Sequence, residues 1–434
     1  MQRLGSGSSQ TKTMEAPHND VAWQQLVHHV ADETCETIAA RWQCGEAEQK
    51  AFTAWPLSAA RYSIQKKLGC GAFAAAFAAV RSSDFEEPTH VALKVVPRFD
   101  SAASRELDVM LALREAEASG NRGAKSIVSL EEYFFVEAVT AAAATTEAVR
   151  SVWSLVMVLP QFDCNLVDYI FFTQDFAPRL PLACHVGGQL ASALAHVHAL
   201  GIVHRDIKAD NVLINKNHAD FTRPTAVLAD FGHAKRVMLK DEPATASDDD
   251  DGANCAYAFA RSFRAPELFY GSAQYDFAPD VWAFGCTIAE VLLDGEQLFR
   301  PPGGVDEDDD ASATVHLRLN RSQRQLHRLI AALGTPSWDE LVAMNPALAY
   351  DPERKHKWLR LPPREAHDPW QSRVQTALES QEAKHLGGPQ WYPDAKQAME
   401  ILEGIFKYEP AARPTTEILA QQFEEWELTW ESGA

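Results

Sequence analysis

The chain has 434 residues, 46% of them apolar, and 60 acidic against 40 basic side chains give it a formal charge of −20. That length can bury a full core with a modest extension and leaves no room for a second large catalytic domain. An acidic balance of this size excludes a broad nucleic-acid-binding surface, so any basic recognition must be local. The seven cysteines, at 35, 44, 70, 164, 184, 255 and 286, show neither paired metal-ligand spacing nor a secretory framework, which suits a reducing compartment. No long apolar span occurs, and the start, Met1 to Thr13, is polar and rich in glycine and serine. These features predict no membrane segment and no signal peptide, hence cytoplasmic or nuclear residence.

In chain order, residues 1–60 read as an extension in which Asp20 can cap a helix, with Trp23, Leu26, Val27, Val30, Ile38 and Trp42 at helical spacing. That helix either packs on the adjoining unit or binds a separate partner. From Arg61 the pattern turns to strands. Leu68-Gly69-Cys70-Gly71-Ala72-Phe73-Ala74-Ala75-Ala76 lies between two of them, and its glycines let backbone amides approach an anion. The next apolar strand, Val91-Ala92-Leu93-Lys94, ends on a lysine, and Ser104 to Leu111 has the spacing of a helix carrying Arg105 and Glu106. Insertions are expected at 115–125 and 138–149. Leu155-Val156-Met157-Val158-Leu159-Pro160 reads as the last strand of this part, and Pro160 lacks an amide donor.

The rest is expected to be mainly helical. It carries His204-Arg205-Asp206-Ile207-Lys208-Ala209-Asp210-Asn211, then Asp230-Phe231-Gly232 with Lys235 close behind, then the acidic run Asp248 to Asp251. Arg264-Ala265-Pro266-Glu267 and Asp280-Val281-Trp282-Ala283-Phe284-Gly285 follow. Further on come a second acidic stretch at Asp306 to Asp310, then Leu333-Gly334-Thr335-Pro336, Met344-Asn345-Pro346 and Arg413.

Together these motifs resemble those of the eukaryotic protein kinases. The octapeptide at 204–211 with Asp230-Phe231-Gly232 downstream is the specific part; the glycine turn is degraded, with Ala74 and Ala76 where the family has glycine and valine. The resemblance implies an α+β, two-lobed fold: a small antiparallel β-sheet lobe with one regulatory helix and a large, mainly helical lobe. It places the kinase domain at 61–428 (small lobe 61–158, large lobe 159–428), with a short tail at 429–434. It implies ATP and Mg2+ as cofactors. Asp206 then orients the substrate hydroxyl and accepts its proton, Lys208 contacts the γ-phosphate, and Asn211 and Asp230 hold the metal. The glycine-turn residues Leu68 to Ala74 with Ala76 would cover the nucleotide, Lys94 paired with Glu106 would hold its phosphates, and Met157, Val158 and Pro160 would line the adenine site. Lysine at 208 accompanies serine/threonine specificity. Glu267 and Arg413 are expected to pair structurally, and Asp280 to brace the catalytic loop.

Within the kinases the chain is similar to the CMGC group and looks most like the glycogen synthase kinase 3 family. Four matches carry this: the short spacing from Lys94 to Glu106, the run Asp230 to Lys235, Tyr257 four residues before Arg261, and the insert near Thr335. In that family three basic side chains receive a phosphate already present on the substrate, and Arg105, Arg205 and Lys235 occupy the matching positions. The alternative is that this cluster receives an anion of the chain's own activation segment. Tyr257 is a candidate phosphorylation site. The implied partners are protein substrates, including pre-phosphorylated ones, with docking possible on the N-terminal helix or the insert near Thr335, and neither nucleic acid nor membrane. A nucleotide-weak scaffold is the competing reading, motivated by Ala74, Ala76 and Pro160.

Overall fold

The computed structural model describes residues 62–71, 74–82, 87–117, 122–138, 152–175, 177–237, 259–272, 275–300, 321–359, 365–366, 368–385 and 392–432. The helix expected after Asp20, Ala72 and Phe73 of the glycine turn, the acidic runs at 248–251 and 306–310, Tyr257 and most of the 138–149 insertion lie outside them. The described residues fall into two compact units, one drawn from 1–114 and 129–161 and the other from 115–128 and 162–434.

The first unit is a five-stranded antiparallel sheet in the order β1-β2-β3-β5-β4, built from β1 (Tyr62–Cys70), β2 (Ala75–Arg81), β3 (Thr89–Val96), β4 (Glu132–Ala138) and β5 (Val152–Pro160). Period-two alternation sets its core: Val91, Leu93 and Val95 of β3 turn inward and pack with Phe77, Ala79, Val156 and Val158. Between β3 and β4 runs α1 (Ser101–Glu117). Its start is fixed by Asp100, whose carboxylate accepts from the amides of Ala102 and Ala103, each at 3.0 Å. The stretch expected as an insertion at 115–125 is partly regular: Glu115 to Glu117 finish α1, and Arg122–Ser126 form a 3-10 turn.

The second unit is mainly helical. After the two-residue strand β6 (Cys164–Asn165) come α2 (Leu166–Thr173) and α3 (Arg179–Ala199). Then follow β7 (Ile202–Val203), β8 (Val212–Asn215), β9 (Thr225–Leu228) and β10 (Lys235–Arg236). β6, β8 and β9 form one small sheet, and β10 pairs with β7. The remaining helices are α4 (Pro266–Phe269), α5 (Ala278–Leu292), α6 (Arg321–Leu333), α7 (Trp338–Met344), α8 (Pro352–Leu359), α9 (Trp370–His385), α10 (Tyr392–Ile405) and α11 (Thr416–Ser432). The last of these passes the boundary expected at Leu428.

Two helices organise this unit. In α3 apolar residues occur on all sides, as a central helix requires, and Gly187 lets it approach α11 so closely that a Cβ there would lie 2.2 Å from the Phe423 ring. In α5 every residue from Pro279 to Leu292 is buried. Trp282 of α5 stacks on Phe299 and meets Phe406 edge-on, which also receives Trp370. This aromatic cluster roots the helix that carries Asp280. An antiparallel-sheet unit and a mainly helical unit are the two parts that the kinase resemblance calls for.

Candidate active site

In the first unit, Lys94 stands on β3 where that strand pairs with Ala76 of β2 on one side and Met157 of β5 on the other. Its ammonium donates to Glu106 Oε1 of α1. Glu106 is buried while its neighbour Arg105 is exposed, as adjacent helix positions about 100° apart require. Met157 and Val158 are fully buried, and Pro160 closes β5 opposite Val91. The glycine turn is drawn together by the Gly71 amide, which donates to the Ala74 carbonyl at 2.9 Å. A Cβ at Gly69 would meet nothing within 4 Å, so no protein atom demands glycine there and the surface stays open to a ligand. Leu68 and Cys70 of the same turn are exposed.

In the second unit the octapeptide leaves β7 and is held by one buried acid. Asp280, at the start of α5, is fully buried; its Oδ2 accepts from the His204 amide at 2.7 Å and faces the His198 ring at 3.0 Å, and its Oδ1 accepts from the Arg205 amide at 2.9 Å. Burial alone would raise this carboxyl. The His198 hydrogen bond, its charge and the His204 amide outweigh burial and hold it below the usual carboxylate range. The bonds fix Arg205 in the left-handed region at φ 67°, a conformation a non-glycine residue keeps only when its surroundings enforce it. His204 is itself buried, and burial lowers its pKa. Its neutral tautomer can be read from its partners: Nε2–H donates to the Ala229 carbonyl at 3.1 Å, and Nδ1 accepts from the Asp206 amide at 3.3 Å.

The turn therefore presents Asp206 as a nearly buried carboxylate whose Oδ2 accepts from Lys208 Nζ and from Asn211 Nδ2, both at 2.8 Å. Asn211 Nδ2 also donates to the Asp206 carbonyl at 2.8 Å, which commits the amide nitrogen and leaves Oδ1 as the side-chain atom able to act as an acceptor. The Asn211 carbonyl accepts from the Ala229 amide at 2.9 Å, so the residue before Asp230 is tied to the same turn. Asp230 is left-handed at φ 63°, and its Oδ1 accepts from the Gly232 amide at 3.4 Å. Among the described residues no group of three or more His, Cys, Asp or Glu is arranged around an ion. One carboxylate with one carboxamide oxygen fits a hard cation that keeps waters and takes phosphate oxygens, rather than an all-protein cage.

Arg205 donates from Nε to the His233 carbonyl at 2.5 Å, and Lys235 opens β10 opposite Val203 of β7. The sheet thus brings two of the three expected phosphate-pocket residues to neighbouring strand ends, while Arg105 belongs to the other unit. Downstream, Arg413 grips Glu267 with two hydrogen bonds of 2.8 and 2.7 Å, both groups buried.

A profile of the protein kinase domain matches residues 62–424. The chain belongs to the protein kinase domain family. Members of this family use ATP and a divalent metal. Among curated relatives, the kinase domain is 36% identical over 158 residues to Protein kinase gsk3 of Schizosaccharomyces pombe, an alignment covering 36% of this chain and 32% of that protein. It is 37% identical over 158 residues to Glycogen synthase kinase 1 of Pyricularia oryzae, covering 36% and 31%. The matched part thus spans about a third of the length of these relatives. Both names agree with the resemblance drawn from the motifs: this kinase domain is similar to kinases of the glycogen synthase kinase 3 type. Among the described residues no helix is long and apolar enough to cross a membrane.

Sequence reasoning passed over His198, which sits between Asp280 and Thr416, and the coupling role of His204. A histidine late in an apolar helix, such as His198 in α3, is the available signal. It also passed over Glu290, a lone carboxyl in the apolar run of α5 whose burial raises its pKa to about 8, helped by Asp210. Burial raises the Cys164 thiol as well, which disfavours its thiolate.

Proposed function

We propose that this chain is a serine/threonine protein kinase that transfers the γ-phosphate of ATP, with Mg2+, to protein substrates. The observation that carries the reading is the Asp206 carboxylate, held by Lys208 and Asn211 within a loop braced by Asp280. Asp206 positions the substrate hydroxyl and takes its proton as the oxygen bonds to the γ-phosphorus. The bond from that phosphorus to the β–γ bridging oxygen breaks, and ADP leaves. Lys208, already beside Asp206, lies where its charge offsets that of the transferring oxygens. Lys94, oriented by Glu106, serves the α- and β-phosphates; Leu68 to Ala74 with Ala76 cover them, and Met157, Val158 and Pro160 line the adenine site. Asn211 Oδ1 and Asp230 would hold the metal, whose charge would offset that of the phosphates.

Arg205 and Lys235, with Arg105 as the resemblance implies, are the basic residues assigned to a phosphate already on the substrate. Guanidinium groups suit it because their planar forks match phosphate oxygens. Two serine peptides that differ only by a phosphate four residues beyond the target test this reading. Preferential transfer to the phosphorylated one is the expected result. Equal transfer would give the pocket to the chain's own activation segment, and no transfer to either would leave the scaffold reading.

A further inference from the structure

Asp280 holds the catalytic turn, and two buried side chains hold Asp280. His198, in the last turn of α3, is 4% exposed; its Nε2 faces Asp280 Oδ2 at 3.0 Å and its Nδ1 faces the Thr416 hydroxyl at 3.1 Å. The ring lies on Phe277, the residue before α5, with centroids 4.4 Å apart and planes 24° apart. Stacking sets the plane of the imidazole, and the hydrogen bonds of its two nitrogens set which edge faces Asp280. Because Asp280 is held below the usual carboxylate range, its oxygen accepts and Nε2 carries the proton. Nδ1 then accepts from Thr416 in the neutral ring or donates to it in the imidazolium. A hydroxyl serves both states, since it donates and accepts. Thr416 is 1% exposed at the first position of α11, yet it does not cap that helix: the Ile418 amide donates to the Thr415 hydroxyl at 3.4 Å. The Thr416 hydroxyl thus serves His198 rather than the helix it starts.

We propose that Thr416 is a positioning residue for phosphoryl transfer, acting through His198 and Asp280 on the turn that carries Asp206. The inference rests on the kinase reading and adds to it a residue far from the reacting atoms. The Asp280 carboxylate is committed on both sides, because Oδ1 takes the Arg205 amide at 2.9 Å and Oδ2 takes the His204 amide at 2.7 Å. Rotation of the carboxylate would release one of the two. Arg205 is left-handed at φ 67°, a conformation that its surroundings must enforce, so losing either bond shifts Asp206, the next residue. His198 opposes that rotation by donating to Oδ2. Thr416 in turn opposes a flip of the ring, which would put carbons where Nδ1 and Nε2 now stand. Valine at 416 nearly keeps the shape and removes the polar partner, leaving Nδ1 buried and unsatisfied in either protonation state.

The test uses the full chain as wild type, Thr416→Val and Thr416→Ser. Transfer from Mg-ATP to one serine peptide, ATP binding and the nitrogen NMR signals of the His198 ring, assigned by their loss in His198→Gln, are measured on each. Thr416→Val is expected to lower kcat about 5- to 100-fold, the range that follows when a buried group in such a chain loses its partner. The peptide KM and the ATP affinity should stay within about two-fold of the wild type, and Thr416→Ser, which keeps the hydroxyl, should restore kcat to within about three-fold. The wild-type ring should show Nε2 protonated, and its Nδ1 signal should move in Thr416→Val and stay in Thr416→Ser. A residue that only packs would change the urea midpoint and leave kcat per folded molecule and the ring signals as they are. Wild-type kcat in Thr416→Val, or an equal loss in Thr416→Ser, overturns the positioning role. Should Thr416→Val not fold, the other two proteins decide: an unprotonated Nε2 in the wild type, or a moved Nδ1 signal with lost kcat in Thr416→Ser, overturns it. Failure of the wild type to phosphorylate the peptide while it binds ATP overturns the kinase reading and the positioning role together.

Discussion

Removing Glu267 from its pair with Arg413 should cost far more than removing both groups. The two side chains are 1% and 6% exposed, joined by hydrogen bonds of 2.8 and 2.7 Å. Arg413 also donates to the carbonyls of Lys407 at 3.0 Å and Ala278 at 3.1 Å, and its guanidinium lies 5.1 Å from the Trp282 ring centroid. In Glu267→Ala the carbonyls remain but the counter-charge does not, so a cation stays buried without a partner. Breaking a buried pair in this way costs about 3–5 kcal/mol, a large part of the 5–15 kcal/mol typical of a folded domain. Arg413→Met strands the carboxylate and should cost a similar amount. In Glu267→Ala/Arg413→Met no unpaired charge is left, so the double variant should lose about 2–4 kcal/mol less than the sum of the singles. Equilibrium urea unfolding of the four proteins, compared at constant m-value, measures this. A loss below about 1 kcal/mol for Glu267→Ala, or singles that simply add, would refute the claim that this pair is held together by mutual need inside the core.

Gly187→Ala should lower the urea midpoint by an amount equivalent to about 1–3 kcal/mol, because its Cβ would fall 2.2 Å from Phe423. Gly188→Ala, whose Cβ would stand 3.7 Å from the Phe423 Cβ, should instead be neutral or gain up to about 1 kcal/mol of helix propensity; equal losses in the two would contradict this packing. Glu290→Gln should be more stable than the wild type, increasingly so as pH rises. Burial, then Asp210, raises the folded value from 4.5 to about 8, so the wild type's advantage from this group is complete below 4.5 and is lost as pH climbs through 8. The gap between variant and wild type should widen by up to about 1.4 kcal/mol per pH unit in that window, and parallel stability–pH curves would contradict it. Lys94→Met should cut kcat/KM for peptide phosphorylation by about 10²-fold or more and should also lower the urea midpoint, because it takes the lysine away from the buried Glu106 carboxylate; wild-type transfer would remove Lys94 from the nucleotide site.

Much of the site could be read locally because its chemistry is packed into short runs. Asp206, Lys208 and Asn211 lie within six residues, and Asp230 follows just after the β8–β9 hairpin, so spacing alone groups them. Glu106 was legible because helical periodicity turns it inward, and Val91 to Lys94 because a strand alternates. What the sequence did not disclose depends on contacts between distant segments. The left-handed backbone of Arg205 is enforced by Asp280, 75 residues away. His204 is neutral because it is fully buried, and Ala229 with the Asp206 amide fixes its tautomer; no local pattern states that. The 3-10 turn at 122–126 escaped notice because it is stabilised through Ile127, which bridges to Leu228 of β9, rather than by any period of its own. Glu290 was visible as a charge in an apolar helix, but its orphaned oxygen and its closeness to Asp210 exist only in the folded unit.

The most direct test of the central claim is single-turnover transfer of labelled γ-phosphate from Mg-ATP to a serine peptide by the wild type and by Asp206→Asn, with nucleotide binding measured on both. Loss of the base should slow transfer by about 10²- to 10⁴-fold while ATP affinity stays within a few-fold, since Asp206 contacts Lys208 and Asn211 rather than carrying the nucleotide. Equal transfer by both proteins, or a wild type that binds ATP and transfers nothing, would contradict the account.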